Sequence, residues 1–587
     1  MFDTLPTSSA AVADWTWDQF APYYDDLLAR PLSAESVDQW LADWTAVSAL
    51  IDELNTRFTI TTTTNTADEA LEVRYRAFLD ELVPRQMEAE QHVKQKLLAS
   101  DLEPAGFAMP LKKLRAEAEL YRDENLPLIA EHRKLTLDYE KLAGARTVTW
   151  DGAEIPLVQL YPVLEETDRD RREVAWRLMR SRVLDDSAAL ADLWRQMMTV
   201  RAQLAANAGF PSYREYRWQQ LFRFDYIPED AKRFHAAIEE AVVPAAARIY
   251  ERRRQKLGAP SLRPWDLQVD PSGLPPLRPY AAMDELETKT ARLFRAVAPQ
   301  FAGYFETMRI EGLLDLESRR HKAPGGYSLT YTVTRRPFIF CNFSAAAGTH
   351  DDVQTLLHEG GHAFHSFEMA TLPYLQQRSE QMVPIEFAEV ASMGMELLAS
   401  PFLTAERGGF YSPAEAARAR MDHLSGIITF WPYGAMIDAL QHWMYEHPRE
   451  AAAIEACDDY WETLEDRFRP ALDWSGLELE KRTMWRQQGH VYADPFYYIE
   501  YAMAQLGAVQ VWANSLRDHP AAAAAYRRAL ALGATVPLPV LYETAGAKFL
   551  FNAKTLGAAV ELIERTIAEL VPVAASTDAG GSGGAPA

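Results

Sequence analysis

The five residues HEGGH at positions 358–362 constrain this chain more strongly than any other part of its sequence. One turn of an α-helix takes about 3.6 residues, so residues four positions apart lie on the same face. His358 and His362 can therefore bind one metal ion together, and Glu359 lies beside it, where it can take a proton from a water molecule. The pattern predicts a helix that carries a zinc site. The alternative is an amphipathic helix with two hydrogen-bonded core histidines.

The residues around this motif favour a helix over 350–369. Thr349 is a typical N-cap residue, and acidic residues such as Asp352 follow in the first turn, where they stabilise the helix dipole. Gly360 and Gly361 oppose this prediction, because each glycine inside a helix costs roughly 1 kcal/mol relative to alanine. Two glycines here indicate that another group packs very close to the helix backbone, and we expect a neighbouring strand or a bound peptide.

A zinc ion held by two histidines needs a third protein ligand and keeps one open position for water. Residues 384–398 read as a second, strongly apolar helix, on which three glutamates share roughly one face: Glu386, Glu389 and Glu396. An acidic stripe on an apolar helix favours a nearby cation, and a solvated face is the alternative. Glu389 is our candidate for the third ligand. Glu396, two turns further along, is placed to hold a ligand imidazole.

These segments resemble a known family. The sequence HEGGHAFH at 358–365, followed by FAEVAS at 387–392, is similar to the thimet oligopeptidase superfamily, and within it to the oligoendopeptidase F branch. The resemblance covers most of the chain, with further similar segments at 262–267, 322–327, 337–343 and 490–501. One departure is Gly360, where the family usually has a bulkier apolar residue.

The resemblance implies roles for the matching residues. His358, His362 and Glu389 would bind one zinc ion, and Co²⁺ and Mn²⁺ are also compatible with these donors. Glu359 would act as the general base. His365, which shares a face with His362, would either orient the substrate or a ligand, or be a packed and hydrogen-bonded histidine.

The segment that begins at His490 would stabilise the oxyanion and contact the substrate, again by resemblance. We assign these roles to His490, Tyr498 and Tyr501, because the two tyrosines lie three positions apart on a helix that Pro495 can start. Tyr497 is an alternative to either tyrosine. For each tyrosine, packing in an aromatic core is the competing interpretation.

Two short runs of β-branched and aromatic residues, at 327–333 and 338–343, precede the metal-binding helix. They predict a hairpin or two neighbouring strands. An exposed strand edge can pair with an extended peptide through backbone hydrogen bonds, which suits a peptidase of broad specificity. Gly325 and Gly326, beside these strands, form either a mobile loop or an ordinary turn.

The remaining sequence is mainly helical. Long amphipathic helices fill the first third, a capping box at 66–69 opens one of them, and a hairpin with an Asp-Gly turn is predicted at 146–158. We divide the chain into a helical N-terminal region (1–200), a catalytic domain (201–570) and a disordered Gly/Ser/Ala-rich tail (571–587). By resemblance the fold is mostly α, bilobed and zincin-like, with a small β-sheet beside the active-site helix and a deep channel between the lobes.

Composition excludes several classes of partner. The formal net charge of −23 argues against nucleic acid and anionic membranes, and no apolar run reaches the ~18 residues of a membrane helix. Cys341 and Cys457 are the two cysteines, so there is no disulfide framework. No secretory signal is visible at the amino terminus. We therefore expect a cytoplasmic protein, and the resemblance implies that its substrates are short peptides.

We predict a zinc metalloendopeptidase that hydrolyses internal bonds of short, unfolded oligopeptides through a metal-activated water. One alternative is a zinc exopeptidase that releases residues or dipeptides from a carboxyl end. The other is a peptide-binding protein without catalysis, which the intact Glu359 opposes. The sequence makes no prediction of the oligomeric state.

Overall fold

The computed structural model describes residues 1–323, 325–343 and 348–576. These residues form a mostly α-helical protein with two small β-sheets, which confirms the predicted fold class. The bilobed shape and the deep channel stay predictions. No helix of the described part is both long and apolar enough to span a membrane.

Among the described residues, thirteen α-helices precede the larger sheet: α1 (Trp17–Ala29), α2 (Val37–Thr64), α3 (Glu69–Ala77), α4 (Val83–Ala99), α5 (Ala108–Leu120), α6 (Leu126–Gly144), α7 (Arg169–Asp185), α8 (Ser187–Asn207), α9 (Tyr213–Gln220), α10 (Pro228–Ala241), α11 (Val243–Leu257), α12 (Met283–Val297) and α13 (Pro299–Ile310). The helices described after that sheet are α14 (His350–Met369), α15 (Leu375–Arg378), α16 (Ile385–Ala399), α17 (Pro413–Glu446), α18 (Pro448–Ala451), α19 (Ile454–Phe468), α20 (Glu478–Thr483), α21 (Gly489–Ala493), α22 (Tyr498–Ser515), α23 (His519–Leu530), α24 (Leu538–Thr544) and α25 (Ala553–Ala574).

The smaller sheet is the predicted hairpin. Strand β1 (Thr147–Trp150) pairs in antiparallel fashion with β2 (Ala153–Pro156). Between them, Asp151 and Gly152 both adopt positive φ angles, 48° and 83°. A two-residue turn with both residues in this region matches the right-handed twist of the strands, which explains the Asp-Gly pair.

The larger sheet has three strands, β3 (Leu314–Glu317), β4 (Tyr327–Tyr331) and β5 (Arg336–Phe343), in the order β3-β5-β4. β4 and β5 are antiparallel neighbours in the chain, as predicted for a hairpin, and β3 runs parallel to β5. Helix α14 packs against both β4 and β5. The sheet therefore lies beside the predicted metal-binding helix, as expected.

Apolar side chains form two cores. The smaller core joins helices from α1 to α5 and contains the buried rings of Trp40 and Trp44. The larger core continues to α25 and contains Trp194 and Trp431. Residue 200, where we set the boundary between the N-terminal region and the catalytic domain, lies inside α8, and that boundary stays a prediction.

Two predicted boundaries are wrong. The N-cap of α3 is Asp68, whose carboxylate accepts a hydrogen bond from the backbone N–H of Leu71 at 3.0 Å. Thr66, the predicted cap, instead donates to the carbonyl of His321 at 3.0 Å. At the other end of the chain, α25 continues to Ala574, past the start of the predicted tail at 571. The rest of that tail, at 577–587, lies outside the described residues.

Candidate active site

Helix α14 has the predicted bounds, His350–Met369. Its first turn is fixed by a reciprocal cap: the Thr349 hydroxyl accepts from the backbone N–H of Asp352 at 3.2 Å, and the Asp352 carboxylate accepts from that of Thr349 at 2.8 Å. The cap satisfies backbone donors that have no partner inside the helix. It therefore defines where the helix starts and, through the helical repeat, which face carries the histidines.

The two glycines of α14 are explained by close packing. A Cβ atom at Gly361 would lie 2.5 Å from the carbonyl oxygen of Ala391 in α16, and one at Gly360 would lie 2.5 Å from the ring of Phe294 in α12. Both distances are shorter than van der Waals contact. The close neighbours are thus a helix backbone and an aromatic ring, and our expectation of a strand or a bound peptide is wrong.

The close approach of α16 brings three candidate ligands together. The Oε2 atom of Glu389 lies 3.4 Å from Nε2 of His358 and 3.7 Å from Nε2 of His362. One donor atom from each of the three residues lies within 4.8 Å of the others. Ligands at about 2.0–2.2 Å from zinc in a tetrahedral arrangement lie roughly 3.4 Å apart. Two imidazoles and one carboxylate in this arrangement fit a bound zinc ion.

Other side chains hold these donors in place. Nδ1 of His358 lies 2.7 Å from Oε1 of Glu396, which leaves Nε2 free for a metal. The other oxygen of Glu396 lies 3.0 Å from Nε2 of His423, and the Ser392 hydroxyl donates to Oε2 of Glu389 at 2.8 Å. Burial favours the neutral form of Glu396, but the hydrogen bonds from both histidines outweigh it and lower its pKa to about 2. Glu396 is therefore an anion that orients a ligand imidazole.

Sequence reasoning identified Glu396 as the residue that holds an imidazole, but it missed His423. This residue lies on α17, 27 positions after Glu396, and no local pattern marks it. Only the packing of the helices brings its ring to the glutamate.

Glu359 lies one residue after the first ligand and is buried, with 8 % of its surface exposed. Burial raises the pKa of its carboxyl to about 7; the His358 imidazole opposes this shift, and the nearby Glu389 and Glu396 carboxylates add to it. A carboxylate with a raised pKa is a stronger base than an exposed one. Its position and basicity suit proton transfer beside the ligand cluster.

The segment that follows α21 has an irregular backbone. Phe496 has a φ of 66°, and α22 begins at Tyr498, three residues later than the predicted start at Pro495. Tyr497 is the residue that precedes the helix. The ring of His490 lies 5.5 Å from that of Tyr497, measured between centroids.

The structure places the three tyrosines differently. Burial, and after it the charge of the Glu389 carboxylate, raises the pKa of both Tyr497 and Tyr501. Tyr498 has no such neighbour in its environment, and its ring packs at 6.0 Å from that of Tyr433. The Glu389 charge thus acts on the phenols of Tyr501 and Tyr497, whereas Tyr498 and Tyr501 are the two tyrosines that line the adjacent cavity.

A cavity of about 540 Å³ lies on this side of the ligand cluster. Its lining includes Glu396, His423, His490, Tyr498 and Tyr501. Hydrogen-bond donors and aromatic rings therefore face the same space, which is the arrangement of a site that binds and orients an organic molecule.

His365 does not reach this cavity. Its side chain is buried, with 4 % of the residue exposed, and its ring packs edge-on at 6.0 Å from that of Phe387. Burial and the neighbouring His362 lower its pKa to about 3, so the ring is neutral. Its Nε2 atom has no hydrogen-bond partner among the described residues. His365 is therefore a packed core residue, which agrees with the second of the two alternatives given above except that Nε2 lacks a partner.

Residues 163–560 match the family model described as peptidase family M3, and this range contains every candidate ligand and catalytic residue named above. The chain belongs to peptidase family M3. Members of this family are metallopeptidases. The relatives described below are named oligoendopeptidase F or PZ peptidase, so the suspected oligoendopeptidase F-type family is confirmed.

One curated relative is the oligoendopeptidase F homolog of Mycoplasma pneumoniae, with 24% identity over 296 residues. The match covers 47% of this chain and 45% of that protein, so it spans less than half of the relative's length.

Solved structures resemble the M3 peptidase over nearly its whole length. A structure of PZ peptidase A with an inhibitor has 26% identity and a TM-score of 0.85, covering 95% of this chain and 98% of that one. A putative oligoendopeptidase F has 27% identity and a TM-score of 0.85, with coverage of 95% and 97%. A putative oligoendopeptidase F from Bacillus anthracis, at 23% identity, a TM-score of 0.81 and coverage of 95% and 97%, shares the fold.

Proposed function

We propose that this M3 peptidase is a zinc-dependent endopeptidase that cleaves internal bonds of short, unfolded oligopeptides. The observation that carries the proposal is the convergence of His358, His362 and Glu389, with donor atoms 3.4 and 3.7 Å apart, beside the buried carboxylate of Glu359. The names of its relatives, oligoendopeptidase F and PZ peptidase, support an action on peptides.

His358, His362 and Glu389 would hold the metal ion. When bound, zinc supplies a Lewis acid that polarises a carbonyl group and lowers the pKa of water towards about 7. The donor set favours zinc among common ions, and Co²⁺ and Mn²⁺ are compatible with it. Glu396 would leave Nε2 of His358 available to the ion, because it accepts the proton of Nδ1 at 2.7 Å.

Glu359 would move the protons of the reaction. Its carboxylate accepts a proton from the attacking water and delivers it to the nitrogen of the leaving amine, which must be protonated before it departs. The raised pKa of this carboxyl, about 7, suits both halves of the transfer near neutral pH. Because Glu359 is buried, with 8 % of the residue exposed, its carboxylate exchanges protons with bulk solvent less readily than an exposed one would.

The phenol groups of Tyr501 and Tyr497 and the imidazole of His490 would donate hydrogen bonds to the carbonyl oxygen of the substrate. That oxygen gains negative charge as water attacks, so a preorganised donor stabilises the transition state more than the ground state. Tyr498, which also lines the cavity, would contact the peptide.

The outer edge of β4 would bind the substrate as an additional strand. β4 is at the edge of the three-stranded sheet and lies against α14. Backbone pairing of this kind depends little on side chains, which suits broad specificity. A channel between two lobes would restrict access to short, unfolded chains. The two cysteines, Cys341 and Cys457, are free and buried, which suits a reducing compartment such as the cytoplasm.

The test is hydrolysis of an internally quenched peptide of ten residues with both ends blocked, whose extended length is at most ~36 Å. Wild type, Glu359→Gln and Glu368→Gln are compared, with the product masses recorded. Glu368 is a matched control because it lies on the same helix and is equally buried, 8 % exposed. We expect internal cleavage by wild type and Glu368→Gln, and at least about 100-fold slower cleavage by Glu359→Gln.

The other outcomes identify the alternatives. Cleavage of peptides with a free carboxyl end but not of blocked ones would establish an exopeptidase. Zinc and peptide binding without hydrolysis of either would establish a binding protein. Full activity of Glu359→Gln would refute the assignment of the base.

A further inference from the structure

One buried cation joins the aromatic segment to the rest of the site. Arg223 lies between α9 and α10, and its side chain is fully buried, with 0% exposure. Its Nη2 atom donates to the backbone carbonyl of Phe496 and, at 2.6 Å, to the carboxylate of Glu500 in the first turn of α22. Its guanidinium lies 4.4 Å from the ring centroid of Trp218. Arg223 therefore holds both Phe496 and the first turn of the helix that follows it.

The same side chain reaches the helix that carries Glu389. Nε of Arg223 lies 3.7 Å from Oε1 of Glu386, which is one turn before Glu389 on α16. The oxygen of Glu386 also accepts a hydrogen bond from the Tyr226 hydroxyl at 2.6 Å. Since this carboxylate is buried and faces a cation, breaking the pair would leave an uncompensated charge in the core. Arg223 thus connects α16 with the start of α22.

The backbone that Arg223 holds has an uncommon conformation. Phe496 adopts a φ of 66°, which a bulky residue rarely does without support from its surroundings. Its N–H donates to Oε1 of Gln441 at 2.6 Å, and its carbonyl accepts from Arg223. Tyr497 follows directly, and Tyr501 lies one helical turn later. The direction of both phenols therefore depends on how this bend is held.

We infer that Arg223 is a positioning residue for peptide hydrolysis: by bonding to Phe496 and Glu500 while facing Glu386, it fixes Tyr497 and Tyr501 relative to the metal ligands. The inference rests on the proposed function. Arg223 itself touches no reacting atom. Its guanidinium presents several donors in a fixed plane, and a lysine ammonium keeps the charge but cannot span the same three groups.

The test compares Arg223→Lys with Arg172→Lys. Arg172 is a matched control, since its buried guanidinium also binds backbone carbonyls and a buried carboxylate, that of Asp266 at 2.9 Å, away from the ligand cluster. We expect Arg223→Lys to lower kcat by about 10- to 100-fold, because small misplacements of a catalytic group have effects of this size. KM and zinc content should change less than about twofold, and Arg172→Lys should leave kcat within about twofold.

A double-mutant cycle separates positioning from general loss of structure. If Arg223 acts through the phenols, Arg223→Lys should slow a Tyr501→Phe enzyme much less than it slows wild type. Hydrogen exchange gives a second readout: the amides of 489–501 should exchange faster in Arg223→Lys, and those of 350–369 should not. If Arg223→Lys does not fold, Glu500→Gln weakens the same contact and should change both readouts in the same direction.

Several results would overturn the inference: wild-type turnover in both Arg223→Lys and Glu500→Gln, an equal loss in Arg172→Lys, or a loss that is undiminished in the Tyr501→Phe background. Absence of hydrolysis by wild type would refute the proposed function instead. The exchange experiment would then still decide whether Arg223 anchors the segment, because it needs no substrate.

Discussion

The two halves of the site are built in different ways. The metal half lies on α14 and α16, two regular helices whose backbones approach so closely that a Cβ atom at Gly361 would lie 2.5 Å from a carbonyl oxygen. The aromatic half runs through the five-residue helix α21 and the left-handed Phe496 before α22 begins. A regular helix positions its side chains through its own hydrogen bonds, whereas the irregular segment has fewer of them.

Arginines from other parts of the chain supply the missing contacts of the aromatic half. They donate to its backbone carbonyls, Arg201 to Val491 and Tyr492, Arg217 to Pro495, and Arg223 to Phe496. This difference teaches that one active site can contain a half fixed by local structure and a half fixed by distant side chains. Substitutions should therefore separate metal binding from turnover, according to the half in which they lie.

The largest effect is expected in the metal half, for Glu389→Gln. An amide is a much weaker zinc ligand than a carboxylate, so zinc and peptide hydrolysis should be lost together. Zinc content after dialysis and the rate of cleavage measure the two losses, with Glu368→Gln as the control. Removal of the ion from wild type by a chelator should give the same loss, and added zinc should reverse it. A variant that keeps stoichiometric zinc and full activity would show that Glu389 is not a ligand.

In the aromatic half, Tyr501→Phe and Tyr497→Phe should lower kcat and leave zinc content unchanged. Loss of one donor to an oxyanion costs about 100- to 1000-fold in comparable sites, and we expect this for whichever phenol binds the carbonyl oxygen. Tyr498→Phe is the matched control, because this ring faces Tyr433 and lines the cavity, and its kcat should fall less than about threefold. A larger loss in Tyr498→Phe than in the other two variants would assign the role to Tyr498, one of the two tyrosines that the sequence favoured.

The contrast explains what could be predicted from the sequence. In the metal half, the spacing of His358 and His362, the cap at Thr349 and the bounds of α14 all follow from local rules, and the structure confirms the helix. The partner helix α16 was also predicted. Its close approach to α14 was not predicted, because the periodicity of one helix does not specify what packs on it. The glycines indicated close contact but not the contacting group.

The aromatic half was less predictable, for a physical reason. Pro495 is a good first residue of a helix, so the sequence favoured a start there. Phe496 instead turns the chain in the left-handed region, which depends on Gln441 and Arg223 from distant positions. The later start of α22 leaves Tyr497 before the helix. His423 was missed for the same reason, since only tertiary packing brings it to Glu396.

A smaller effect tests the support of the metal half. Glu396→Gln removes the charge that holds His358 while keeping a hydrogen-bond acceptor at the same place. Loss of such a partner typically weakens metal affinity by about 10- to 100-fold. Competition with a chelator of known affinity measures this, and His423→Gln, which touches Glu396 but no ligand, should weaken affinity less. Unchanged affinity in Glu396→Gln would show that packing alone orients the imidazole.

The smallest effect concerns the arginines of the aromatic half and depends on pH. Nε of Arg201 donates to Nε2 of His132 at 3.0 Å, so this ring is neutral, and burial, followed by the charges of Arg201 and Arg217, lowers its pKa from 6.5 to about 3. Between these values the unfolded chain binds a proton at His132 that the folded chain does not, so stability falls as the pH falls.

A difference of one bound proton changes the free energy of unfolding by at most about 1.4 kcal/mol per pH unit, and solvent screening at the half-buried ring reduces this value. His132→Gln keeps an acceptor for Arg201 but cannot be protonated. The variant should therefore lose less thermal stability than wild type between pH 6.5 and pH 4, and a variant of the exposed histidine of α4, His92→Gln, should follow wild type. Parallel profiles of thermal stability against pH for wild type and His132→Gln would show that the contact with Arg201 does not depend on a neutral imidazole. The aromatic half would then be less sensitive to its distant contacts than the geometry implies.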